Sequence, residues 1–447
     1  MPTKTKIILI VVFIIVGASM VGGYLYFTRN VVENSDGTKT TTYKKFNSFG
    51  TGGKNETETT PENNEVKDPQ NQVGLSVNSK FRKITEVPVA GASFYKTVIK
   101  TEIEQPVATP TTETKTTDNK KITQTKNKGK EIVLPEVVVE QNLPKEEVIK
   151  TVRYVERTTG HIYQYNIESR QATRASNTTV PNIYEAFFND TGDKALYRYS
   201  SDNINISTYQ VTTGKEFGDF LPSNIVNISS SPKKDKFFYL IKNENGVVGH
   251  IKNFFEVKSK VVFESSFSEW ISQYINDNTI YITTKASADK QGYLYSINTK
   301  TGTLTKLYGN QLGFTTLANS IGDYVLISSV INGNLNLEVL DVLNYKTLPL
   351  GLSTLPEKCA WGSNNIDIYC AVPKEIPQGS YPDDWYKGLV SFNDRFVKIN
   401  TSNSEIIPIS ADDSQNIDAT SLFINDDQDI LFFINKKDST LWSLDMK

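Results

Sequence analysis

Two cysteines and two histidines are all that 447 residues offer as thiol nucleophiles, imidazole bases or strong metal ligands. Cys359 and Cys370 enclose AWGSNNIDIY. With Asn364-Asn365 as a two-residue turn, the two cysteines fall opposite each other on adjacent strands. Asn tolerates the positive φ that a type I′ turn requires. In an exported chain a cross-strand Cys359–Cys370 disulfide is therefore expected, with free buried thiols or a redox pair as the alternatives. Counting from that turn puts the bridge at a hydrogen-bonded pair, where Cα spacing is wider. His161 and His250 both open Gly-His-Ile, and Tyr293 holds the same place in Gly-Tyr-Leu, so both imidazoles read as structural. Acid pairs stand at Asp383-Asp384, Asp412-Asp413 and Asp426-Asp427. Two carboxylates brought together from separate segments are the machinery of a glycosidase, whereas Asp in polar turns explains the same residues more simply. G-x-S-x-G, H-E-x-x-H, C-x-x-C and phosphate-binding glycine loops are absent. No catalytic residue, metal ligand or cofactor is assigned.

The remaining candidate is PKEIPQGSYPDDWYKG, residues 373–388. Tyr381, Asp383, Asp384, Trp385 and Tyr386 put large aromatics and carboxylates on a proline-punctuated segment, the composition of an interface anchor. The competing reading is that Trp385 folds back as a cap. Charge is nearly balanced, 48 basic against 50 acidic residues, so nothing recommends a nucleic-acid partner.

The elements that must position these residues begin with a membrane anchor. Ile7–Phe27 carries no charge, long enough at ~1.5 Å per residue to cross a ~30 Å hydrocarbon layer. Tyr24 and Tyr26 sit at its outer end, Lys4 and Lys6 precede it, and Arg29 follows. The expectation is a single-pass helix over residues 7–27 with the N-terminus cytoplasmic and the rest outside, periplasmic or at the cell surface. Cleavage after Ala18 as a secretory signal is the alternative, and it exports the same remainder. Residues 28–79 are polar and lack apolar periodicity, which predicts a disordered stalk reaching on the order of 40 Å. A second Thr/Lys-rich stretch predicts a disordered insertion over residues 100–148.

From residue 80 onward the chain repeats itself every ~42–46 residues. An apolar strand, a polar turn and an aromatic strand recur as IYEAFFNDTGDKALYRY from Ile183 and IVNISSSPKKDKFFYLI from Ile225. They return from Ser268, Phe314, Lys358 and Asp418. A second hairpin follows each, as in GHIYQYNIESRQATR from Gly160 and GYLYSINTKTGTLTKL from Gly292. Four strands per unit at this period predict propeller blades. The last copy stops after its third strand, and FRKITEVPVAGASFY from Phe81 supplies a fourth strand, Phe81–Thr85, followed by the first strand of the next unit. The prediction is an all-β, seven-bladed β-propeller over residues 80–447, closed by its N-terminal strand. The segment 373–388 then falls between the second and third strands of the sixth blade.

The turns NDTGDK (189–194), SPKKDK (231–236) and NDDQD (425–429) resemble those of the TolB-type and WD-like bacterial propellers. The resemblance covers residues 81–447, is one of architecture, and implies a binding scaffold. With the anchor at residues 7–27 it points to a tethered propeller that binds a protein, peptide or polysaccharide at the cell envelope. The alternative is an extracytoplasmic glycosidase or lyase.

Overall fold

The computed structural model describes residues 31–33, 39–41, 80–101, 145–201, 205–213, 218–410 and 415–447. The expected span Ile7–Phe27, the Ala18 cleavage site, most of the stalk and the body of the insertion after Thr101 lie outside them. No helix among the described residues is long and apolar enough to cross a membrane. The chain divides into two units, Met1–Val73 and Gly74–Lys447. In the first, Val31–Glu33 pairs antiparallel with Lys39–Thr41.

In the second unit the apolar runs become the second strands of seven four-stranded antiparallel sheets. We call these sheets blades 1–7 and their strands A–D, A being innermost. The A strands are Val89–Thr101, Ile183–Phe188, Ile225–Ser230, Trp270–Asn276, Thr315–Ala318, Cys359–Trp361 and Ala419–Ile424. Outside blade 1 the middle of each B strand is covered on both faces, which is why it reads as an apolar run rather than an alternation. In Lys236–Asn243, Phe237 and Tyr239 pack toward blade 2 while Phe238 and Leu240 pack toward blade 4. The D strands Lys346–Pro349 and Glu405–Pro408 are exposed throughout and form the outer rim.

A separate apolar cluster fills each seam between neighbouring blades. The seam between blades 7 and 1 is filled like the others, by Val89, Val152 and Tyr165 against Phe432 and Leu441. Ring closure uses the expected strand: Phe81, Arg82 and Lys83 pair with Leu444, Ser443 and Trp442. Thr85 adds a side-chain clasp, its Oγ1 accepting Leu441 N–H at 2.9 Å. The closing strand covers an edge that blade 7 would otherwise expose. In blade 1 the A and B strands run to Thr101 and from Lys145, so the hairpin extends further into the insertion than the repeat alone predicted.

Five of the A–B turns share one construction, and it explains the recurring motif. Gly192, Lys234, Gly322, Asn365 and Gln428 hold the fourth turn position, all with φ between 53° and 88°. In four of the five, the first residue is Asn or Ser and bonds the Asp four positions on. These pairs are Asn189–Asp193, Ser231–Asp235, Asn319–Asp323 and Asn425–Asp429. Asn425 Oδ1 also accepts from Asp429 N–H and Ile430 N–H. Asn425→Ala leaves those half-buried groups without that partner, and the urea midpoint should report a loss of about 1 kcal/mol.

Blade 6 is the exception, with Gly362 in the first place. Asn364 Oδ1 accepts from Ile366 and Asp367 N–H, and Asn365 N–H closes on Gly362 O. Only Asn365 of the Asn pair has positive φ, so the turn is not the expected type I′. The closing pair moves out to Gly362/Asp367, bonded at 2.7 Å, which shifts the alternation by one. Cys359 and Cys370 remain opposite and form the disulfide, at a narrow pair with Cα atoms 4.1 Å apart rather than the wide one expected.

Candidate functional site

The B–C and D–A loops gather on one face, and the 373–388 insertion lies over it. Its five sequence-predicted residues are brought together around one short helical turn, Asp383–Tyr386. Trp385 and Tyr381 are buried, both stacked on Phe392. Tyr381 donates to Pro377 O at 2.5 Å. Asp383 accepts Ala288 N–H at 2.6 Å from blade 4, and Asp384 accepts Ser380 N–H at 2.8 Å. Tyr386 is the most exposed of the aromatics and donates its hydroxyl to Glu357. The two rings that would anchor a partner are thus engaged by the propeller itself.

Beneath the insertion lies a charge cluster that sequence reasoning missed. Lys358, wholly buried, places Nζ 2.8 Å from Asp394 Oδ2, 2.7 Å from Asp418 Oδ1 and 2.8 Å from Ala419 O. The ammonium also lies 5.3 Å from the Trp385 ring centre and 5.2 Å from that of Phe392. Asp418 accepts further bonds from Trp385 Nε1, Phe392 N–H and Ser391 Oγ. The cluster therefore ties blades 6 and 7 to the insertion. Burial pushes the Asp394 carboxyl up to about 6, against the pull of Lys358 and the Ala419 amide. Burial also opposes ionisation of Asp418, but Lys358 and the donors from Phe392 and Trp385 hold it below the usual range.

The sign of the pH effect follows. Folded Asp394 keeps a proton that the unfolded chain releases above ~4, so its contribution to stability is full below ~4 and is lost as pH rises toward 6. Asp418 acts in the opposite sense, losing its contribution at lower pH. Asp394→Asn removes the first of these slopes. Its stability relative to wild type should improve between pH 4 and 7, by at most about 3 kcal/mol, as read from urea midpoints. A difference constant across that range would contradict the assignment.

The opposite face carries the A–B turns and opens into a channel mouth of about 720 Å³. All seven blades line it. Phe94, Phe187, Trp361 and Phe423 give aromatic walls, while Ser93, Ser229, Ser272 and Asn425 give polar ones. Lys234 is the cation in this lining and Asp426 the carboxylate. Lys234 reaches the wall from the left-handed turn position, donates to Ser93 Oγ and lies 5.2 Å from the Tyr95 ring centre. Burial lowers its pKa, partly countered by Asp426 and Asp190 at longer range. Of the sequence-stated acid pairs, Asp427 bonds Lys150 at 2.5 Å, and Asp412-Asp413 lie outside the described residues. His161 sits beside Thr179 and Arg174, and His250 stacks on Tyr239, in different blades. Among the described residues no three His, Cys, Asp or Glu side chains form a metal-sized cluster.

Seven four-stranded blades around a channel define the chain as a β-propeller. No protein-family model matches its sequence, and no curated protein is similar to it. Among solved structures it is similar to TolB from Acinetobacter baumannii, at 11% identity over 56% of this chain and 59% of that one, with a TM-score of 0.39. The chain thus spans less than two thirds of TolB's length. It is similar to oligogalacturonate lyase from Vibrio parahaemolyticus at 9% identity over 67% of this chain and 86% of that one, with a TM-score of 0.47. It is also similar to the Cps50 (Swd1) β-propeller domain of Myceliophteria thermophila at 9% identity over 66% and 94%, with a TM-score of 0.44. These are likenesses of fold.

Proposed function

We propose that this chain is a membrane-tethered, extracytoplasmic propeller that serves as a binding scaffold at the cell envelope. The tether is the uncharged segment Ile7–Phe27. The channel mouth on the A–B face receives a segment of a protein, peptide or polysaccharide partner. The observation that carries the reading is a concavity of about 720 Å³ built by all seven blades, with aromatic walls, hydroxyls and one ammonium. Aromatic faces beside a few placed polar groups are how small sites orient a ligand. Lys234 favours an acidic group on that ligand.

Hydrolysis or elimination by paired acids fits the mouth less well. A glycosidase needs two carboxylates ~5–9.5 Å apart, and the mouth is lined by one, Asp426. The buried pair Asp394 and Asp418 is closed to solvent and neutralised in part by Lys358. In-cell crosslinking of the tagged full chain tests the proposal. Lys234→Glu and Trp361→Ala should each reduce capture of the wild-type partner by about tenfold, a loss of ~1.4 kcal/mol in binding. Undiminished capture by both folded variants would rule the mouth out.

A further inference from the structure

The A–B hairpin of blade 1 is longer than the repeat requires. Its A strand is irregular at Val89/Gly91 as that of blade 2 is at Ile183/Glu185, so Phe94 matches Phe188. Blade 2 turns after Phe188, whereas the blade 1 strand continues past Phe94 to Thr101. The extra length begins at the channel mouth, whose wall Ser93 and Phe94 line. Ile167 N–H donates to Lys150 O at 3.1 Å, so Lys150 turns its backbone groups toward the C strand. Lys96, the partner of Lys150, therefore points its own N–H and C=O away from the ladder. The alternation gives Phe94, Val98 and Lys100 the same outward direction. The A strand ends the sheet order of blade 1, and among the described residues no strand pairs with that edge.

An unpaired edge of this kind is a template for another strand. The other six A strands stop at their turns, so among the described residues this edge alone is carried above the mouth. Its donors and acceptors recur every ~6.8 Å, two residues of strand, a spacing that a second strand matches and a sugar chain does not. Lys234, which donates to Ser93 Oγ beside the root of the edge, adds a preference for a carboxylate. We propose that the channel-side edge of blade 1, over residues 94–100, takes up an extended acidic peptide as an added β-strand, with a carboxylate of that peptide reaching Lys234. The inference rests on the reading of this face as the binding surface and narrows its partner to a polypeptide.

Fluorescence polarisation of the full chain tests it, with a labelled pool of heptapeptides that carry one Glu among alternating Val and Thr. A twin pool, N-methylated at two consecutive central residues, keeps the side chains and blocks both peptide edges. The unmodified pool should bind about tenfold more tightly than its twin. Val98→Pro removes an outward N–H without breaking the ladder, a change that edge strands tolerate, and should weaken binding about tenfold. Val98→Thr, which restores the N–H, and Val148→Pro, whose N–H faces the opposite edge, should bind as wild type does. If the pool does not bind, if the twin binds equally, or if Val98→Pro binds as wild type does, the edge is wrong. Loss with Lys234→Glu and Trp361→Ala alone would keep the mouth and overturn the edge, whereas loss with Val98→Pro alone would keep the edge and overturn the mouth. A chain that binds the pool only after residues 102–144 are cut to a short turn, or that dimerises unless Val98→Pro is present, would give the edge to the chain itself and overturn the proposal. Should Val98→Pro fail to fold, the N-methylated pool decides.

Discussion

Replacing Lys358 with methionine is expected to destabilise the propeller by about 3–5 kcal/mol, the scale for breaking a buried ion pair. The substitution strands Asp394 and Asp418 in a region where both side chains are inaccessible to water. Asp394 Oδ1 already lacks a partner, so little spare hydrogen bonding exists to absorb the loss. The damage should spread to the insertion, because Asp418 also holds Trp385 and Phe392. Neutralising the whole set, with Lys358→Met, Asp394→Asn and Asp418→Asn together, should recover most of the lost stability, since an uncharged replacement removes the desolvation cost as well as the attraction. Urea unfolding of the three forms measures this. A single Lys358→Met change costing under about 1 kcal/mol would show that the cluster is not what joins blades 6 and 7 to the insertion.

The second large effect is expected at the disulfide. Cys359 and Cys370 are 11 positions apart, both buried, on the A and B strands of blade 6. Closing a loop of that length restricts the unfolded chain by about 3 kcal/mol in the chain-entropy account. The double change Cys359→Ala/Cys370→Ala should lower stability by about that amount and leave the blade register intact, because seven seam clusters and the ladder hydrogen bonds still hold the sheet. The native protein should also be reduced slowly, as Cys370 is wholly buried and Cys359 is only 4% exposed where it lines the channel. Rapid reduction of the folded protein would contradict the burial of this bridge.

How much of this was legible in the sequence depends on how local the signal is. The ring was legible because each blade repeats a polar turn between apolar strands, and because the chain's last unit visibly lacks the strand that Phe81 begins. The cysteine register was legible because it depends only on the midpoint of the hairpin. The turn type was not, since Gly362 and the side-chain bonds of Asn364 replaced the expected two-residue turn and moved the hydrogen-bond alternation by one. The aromatic segment 373–388 looked the same as an exposed anchor. Its partner Phe392 is a single ring beyond the segment, and nothing in composition says which way Trp385 turns. Lys358 gave no signal at all. Its partners are 36 and 60 positions away, and a lone lysine before a strand ordinarily faces water. Lys234 was equally silent, because its place in the channel lining comes from where the blade geometry points it.

The central claim, that the A–B mouth of the channel is where a partner binds, is tested most directly by site-specific photocrosslinking in cells. A benzophenone side chain is placed at Phe423 in the mouth and, separately, at Leu343, which is 78% exposed on the outer part of blade 5. The account predicts one recurrent adduct from position 423, competed away by Lys234→Glu, and no such adduct from position 343. Adducts of equal yield from both positions, or from position 343 alone, would contradict it.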